Sequence, residues 1–168
     1  MNKIISICCV VLSGSVWAGQ PSEDAINQMY NSRVDEMMES TGMNFENAVA
    51  TKSIASEWRA NNARAQLKFS KPMMYYGRLS KVLVNNGNAD LLLDSGSPSE
   101  VTVTLSAYQA WPWKLTGDEW SIGGVQSNLQ FAANLDAGAK LYFQCRRVEF
   151  VGKIYLVNCL AFPEKITN

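Results

Sequence analysis

The sequence predicts an α+β fold that is mainly β: two N-terminal helices, then five strands with one helix between the third and the fourth. Three observations carry this. Apolar residues recur at helical spacing as far as Phe69 and alternate from Met73 onward. Asn85-Asn86-Gly87-Asn88, between two strand-like runs, is a tight-turn sequence. Lys140 to Phe162 (KLYFQCRRVEFVGKIYLVNCLAF) reads as two strands reversing at Val151-Gly152. That reversal sets Cys145 and Cys159 level, or one residue out of register if the turn carries a bulge.

Met1 to Ala18 has the layout of a secretory signal peptide. Lys3 supplies the charged start, Ile4 to Leu12 the short apolar run, and Val16-Trp17-Ala18 the cleavage signal. Cleavage is expected after Ala18, with delivery to the periplasm. The apolar run is far shorter than the ~20 residues of a membrane-spanning helix, and no later stretch is long and apolar enough to span. The expected organisation is a leader over residues 1–18, a helical segment over 19–69, a β domain over 70–163 and a polar tail over 164–168.

Export simplifies the cysteine arithmetic. Of the four cysteines, Cys8 and Cys9 leave with the leader, and Cys145 and Cys159 form an even pair in an oxidising compartment. Cross-strand neighbours are close enough to be bridged. The chain contains no histidine, which removes Ser-His-Asp, Cys-His and imidazole-base mechanisms and argues against a zinc site. No cofactor is implied. Formal charge is zero, and −1 once Lys3 is removed (14 basic against 15 acidic residues). Non-specific nucleic-acid binding therefore has no electrostatic basis.

In order along the chain, Gln20 to Ser40 is expected to be a helix capped by Ser22. Glu23 and Asp24 stand in its first turn, and Ile26, Met29, Tyr30, Val34, Met37 and Met38 form an apolar stripe. Gly42 ends it. A second helix is predicted from Asn44 as cap to about Leu67, and Pro72 blocks further helix. The strands then follow: Met73 to Val84 with Gly77 as a bulge or bend, Ala89 to Leu93, and Glu100 to Leu105. Ser106 to Gly138 is a longer excursion containing Trp111, Trp113 and Trp120, with a helix expected over Val125 to Leu135.

Three strands, a helix and two strands is the order of a five-stranded OB-fold barrel. The run EWRANNARAQLKF (Glu57 to Phe69) resembles the leading helix of exported OB-fold proteins of the tRNA_anti-like family. Leu135-Asp136-Ala137-Gly138 is similar to that family's approach to strand four, and Ile154 to Cys159 (IYLVNC) to its closing strand. The tryptophan-bearing excursion and the first helix depart from the family pattern. The resemblance implies a binding or assembly module with no catalytic residues.

On such a barrel, ligands meet the face of strands two and three and the surrounding loops. Here that region includes Tyr75, Tyr76, Arg78, Lys81 and the Trp111/Trp113 loop, where aromatics beside cations suit bases or sugars. The loop either plugs the barrel or forms an exposed contact patch. Arg146 and Arg147 either pair with Glu149 or Asp136 or meet an acidic partner. The expected binding residues are thus Tyr76, Arg78, Trp111, Trp113, Arg146 and Arg147, and the expected partner is a protein or a glycan.

Two other classes share parts of the pattern. Leu91 to Pro98 (LLLDSGSP) is similar to the active-site turn of retropepsin-like aspartic proteases, which would use Asp94 in a homodimer. The same residues are an ordinary turn sequence. The chain also lacks that family's late glycine motif. A glycan-binding, toxin-like subunit would share the barrel and the single disulfide.

Overall fold

The computed structural model describes residues 21–41, 45–96, 100–111, 113–116 and 119–163. The leader, the Gly42 stop, the Asn44 cap and the polar tail lie outside the described residues. The elements in order are α1 (Glu23–Thr41), β1 (Val49–Ala50), α2 (Thr51–Ala60), α3 (Asn62–Lys68), β2 (Met73–Asn85), β3 (Asn88–Leu93) and β4 (Val101–Leu105). Then come β5 (Tyr108–Ala110), β6 (Trp113–Thr116), β7 (Glu119–Ile122), β8 (Val125–Ser127), α4 (Asn128–Ala133), β9 (Lys140–Val151) and β10 (Lys153–Pro163).

The main sheet is mixed and six-stranded, in the order β1-β2-β3-β4-β10-β9, and β9 also pairs with β2. The pairings of β2, β3, β4, β10 and β9 therefore close on themselves. β1–β2 and β4–β10 are parallel, and the other pairs of this sheet are antiparallel. Asn85 and Asn88 face each other across a two-residue turn in which Asn86 and Gly87 have φ of 48° and 77°. Positive φ at both central residues is what such a hairpin turn demands, and Asn-Gly supplies it cheaply.

Cys145 and Cys159 are direct cross-strand partners and are disulfide-bonded, with Cα atoms 4.1 Å apart. The reversal at Gly152 keeps the two cysteines level. The irregularity in this region falls on the other edge of β10, between Leu156 and Cys159 opposite β4. There Asn158 takes a positive φ, and its N–H donates to Thr104 Oγ1 at 3.1 Å. The Gln109 side chain repairs the same edge: its amide donates to Cys159 O and its carbonyl accepts from the Ala161 N–H, each at 2.9 Å.

The core holds Ile54, Ala65, Phe69, Leu91, Val103, Phe131, Phe143 and Leu156, all buried, together with the disulfide. A smaller cluster joins Tyr30 and Met37 of α1 to Met74, Ala110, Leu160 and Phe162. Ser22 accepts from the Ala25 N–H as an N-cap, as its position suggested. The α1 stripe is narrower than expected, because Met29 and Met38 are exposed and Tyr30, Val34 and Met37 make the contact.

Four expectations need correction. The second helix is two helices and begins later than Asn44 suggested. Asn61 is extended, its N–H still bonds Glu57 O, and its Oδ1 accepts from the Arg64 N–H, so one residue ends α2 and caps α3. The helix expected over Val125 to Leu135 starts only at Asn128. Ser127 and Gln130 form a capping box there, and the preceding three residues pair with β5. The excursion contains two further strand pairs, β5–β8 and β6–β7. Finally, Gly77 is not the bulge, since the register shifts between Leu79 and Lys81. Gly77 is small because α2 crosses it: a Cβ at residue 77 would lie 2.6 Å from Thr51 Oγ1.

Candidate functional site

That close crossing forms the floor of a cleft of about 260 Å³, lined by Ala50, Thr51 and Lys52 of α2 and its approach, Tyr76 to Arg78 of β2, Asp94 after β3, and Lys140 of β9. The antiparallel register of β2 and β9 builds one wall. It sets Tyr76 opposite Tyr142 and Arg78 opposite Lys140. The two tyrosine rings lie 5.9 Å apart, and Lys140 Nζ sits 5.6 Å from the Tyr76 ring centre and 5.4 Å from that of Tyr142. Arg78 and Lys140 thus bring two like charges to the same point on neighbouring strands.

The other wall is the start of α2. Ala50 occupies its N-cap and provides no side-chain cap. The first amides of a helix carry partial positive charge. Thr51, in its first turn, is 1 % exposed, and its hydroxyl has no hydrogen-bond partner among the described residues. A buried hydroxyl without a partner is costly. Arg78 is exposed, and its guanidinium donates to Gly138 O at 3.1 Å. Lys52 Nζ lies 3.5 Å from Asp94 Oδ2. The Gly96 N–H bonds Asp94 Oδ1 at 2.9 Å, and this amide, with Lys52 second, holds the Asp94 carboxyl below the usual carboxylate range. Among the described residues the cleft therefore gathers three cations, one carboxylate, an uncapped helix start and the ring of Tyr76.

The expected binding residues do not share one place. Tyr76 and Arg78 line the cleft together with Asp94. Tyr75, their neighbour, points the opposite way into the core at 1 % exposure, where burial raises its phenol pKa. Trp111 is half-buried, edge-on to Phe131 with ring centres 5.6 Å apart, and belongs to the core packing. Trp113 contributes backbone to β6, and its side chain lies outside what is described. Arg146 bonds Glu36 of α1 at 2.6 Å rather than Glu149 or Asp136, while Arg147 pairs with Glu149. Thr51, Lys52 and Lys140 were not expected here. No motif marks them, because the cleft draws on four segments far apart in sequence.

A second hollow of about 140 Å³ lies under α1, lined by Met29, Tyr30, Arg33 and Ser106 to Tyr108. Among the described residues no group of three or more His, Cys, Asp or Glu is placed to hold a metal ion, and no helix is long and apolar enough to cross a membrane.

No family model and no curated protein matches the chain. A solved structure assigned as an aspartyl-tRNA synthetase from Leishmania major Friedlin is similar to it, with a TM-score of 0.41 and 13 % identity over 82 % of this chain and 26 % of that one. So slight a likeness, to so small a share of that protein, carries no argument about activity. The fold and the cleft define an α+β, mainly-β domain with a cation-lined cleft, and nothing narrower.

Proposed function

We propose that this chain is an exported, non-enzymatic binding module: an OB-fold barrel, similar in connectivity to the tRNA_anti-like proteins, that takes a protein or glycan ligand into the cleft between α2, β2 and β9. The observation that carries the reading is the Arg78–Lys140 pair beside Tyr76 and Tyr142. Three features support the OB assignment: the closed pairing of β2, β3, β4, β10 and β9, the parallel β4–β10 contact, and α4 between β4 and β9. Support for a structural role of Asp94 comes from its bonds to Gly96 and Lys52, which are those of a turn residue.

The test is capture from periplasmic extract by the immobilised mature chain, compared with the Arg78→Glu/Lys140→Glu variant and with Arg147→Glu as a control on the outer surface. Loss of capture by the double variant alone is expected. Equal capture by all three proteins would overturn the placement of the site.

A further inference from the structure

We propose that the ligand taken up in this cleft presents an acidic group, a phosphate or carboxylate borne on a sugar ring, with the anion seated at the start of α2 against Thr51, Lys52 and Lys140. The proposal rests on the binding reading above and specifies the chemistry of that same site. Two independent observations point to it. The first is the uncapped start of a ten-residue helix, whose amides and dipole favour an anion. The second is Thr51, almost wholly buried, whose hydroxyl has no partner among the described residues.

Gly77 keeps the space beside this buried hydroxyl free of a side chain. Any side chain there would occupy the space 2.6 Å from Thr51 Oγ1, within the lining of the cleft. The cations fit the same ligand. Lys52, Arg78 and Lys140 line the cleft from three elements, with Asp94 the acidic residue among its described lining residues. Tyr76, a lining residue already facing the Lys140 ammonium, provides an apolar face for a sugar ring beside the charge. Asp94 pairs with Lys52 at 3.5 Å. An incoming anion therefore competes with that carboxylate, which makes Asp94 a brake on binding.

The experiment is an NMR titration of the isotope-labelled mature chain with glucose 6-phosphate, with glucuronate and with glucose. Saturable shifts of the Thr51, Lys52 and Tyr76 to Arg78 amides are expected with one or both acids and not with glucose. A response to the phosphate ester alone identifies a phosphate-bearing ligand, and a response to glucuronate alone a carboxylate-bearing one. Asp94→Asn should tighten the acid about fivefold, the effect of removing one like charge at a surface site. Thr51→Val should weaken it by about tenfold while leaving the melting temperature unchanged or higher, since a buried unpartnered hydroxyl is lost. Equal shifts with glucose would overturn the acidic-ligand proposal and leave the binding reading intact. Shifts confined to other residues, or none in the millimolar range while capture from extract still depends on Arg78 and Lys140, would likewise overturn it. Capture independent of Arg78 and Lys140 would sink both.

Discussion

Gly77→Ala is the sharpest probe of how the cleft is built. The added Cβ would stand 2.6 Å from Thr51 Oγ1 and 3.0 Å from Leu93 Cδ1. Both are inside ordinary van der Waals contact, so α2 or the β2 strand must shift. Overpacking of this kind costs about 1–3 kcal/mol. At roughly 2–4 °C per kcal/mol for a chain of this size, the melting temperature should fall by about 2–12 °C. Thr51→Ala removes the nearest atom and leaves the flexible end of Leu93 as the remaining neighbour. In the Thr51→Ala background the same substitution should cost less, with a coupling of about 0.5–3 kcal/mol in a double-mutant cycle. Urea unfolding of the four proteins at neutral pH measures it. Additive effects, or a neutral Gly77→Ala in both backgrounds, would show that α2 does not rest on β2 as described, and the cleft would lose its floor.

Three further outcomes are expected. Cys145→Ala/Cys159→Ala should lose about 3 kcal/mol in the chain-entropy account of a loop this short. A reducing agent should lower the wild-type melting temperature but not that of the variant; equal sensitivity would mean no disulfide. Asn61→Ala removes the α3 cap and should cost about 1 kcal/mol by urea unfolding, whereas Asn61→Asp should recover most of it. The Glu36 carboxyl is held low first by Arg33 and then by Arg146, so its contribution to docking α1 is present above the ordinary carboxylate pKa and lost as pH falls through the lowered value. The gap in melting temperature between wild type and Glu36→Gln should therefore close on acidification; a gap independent of pH would refute the ion pair.

Much of the sheet was legible because its signals are local. Asn86-Gly87 fixes one hairpin and Gly152 the other, and alternation from Met73 names the strands. Counting outward from that second turn leaves the cysteines level or one residue out of register, and the structure has them level. The helical segment was harder, because helical periodicity runs unbroken through Asn61 and only its backbone reveals the break. Ser127 with Gln130 is a capping box legible in the sequence, but Val125 also fits the helical pattern and draws the expected start three residues too early. The tryptophan-bearing excursion misled for a different reason: strands of three or four residues are too short to show a period.

The cleft was only partly legible. Tyr76 and Arg78 stood out as an aromatic beside a cation, and Asp94 as a motif residue, yet nothing local placed them together. Their meeting depends on β9 returning to β2 and on α2 crossing Gly77, which are contacts between distant segments. Arg146 was legible as a charge needing a partner, but the partner, Glu36, lies on a helix whose docking face only the assembled structure defines.

The most direct measurement is capture from extract by Asp94→Asn, with peptide cleavage followed in the same samples. A binding cleft restrained by its own carboxylate predicts capture equal to or stronger than wild type, and the same cleavage background in both proteins. Loss of capture accompanied by loss of a pepstatin-sensitive cleavage would contradict it and make Asp94 the catalytic group of a protease.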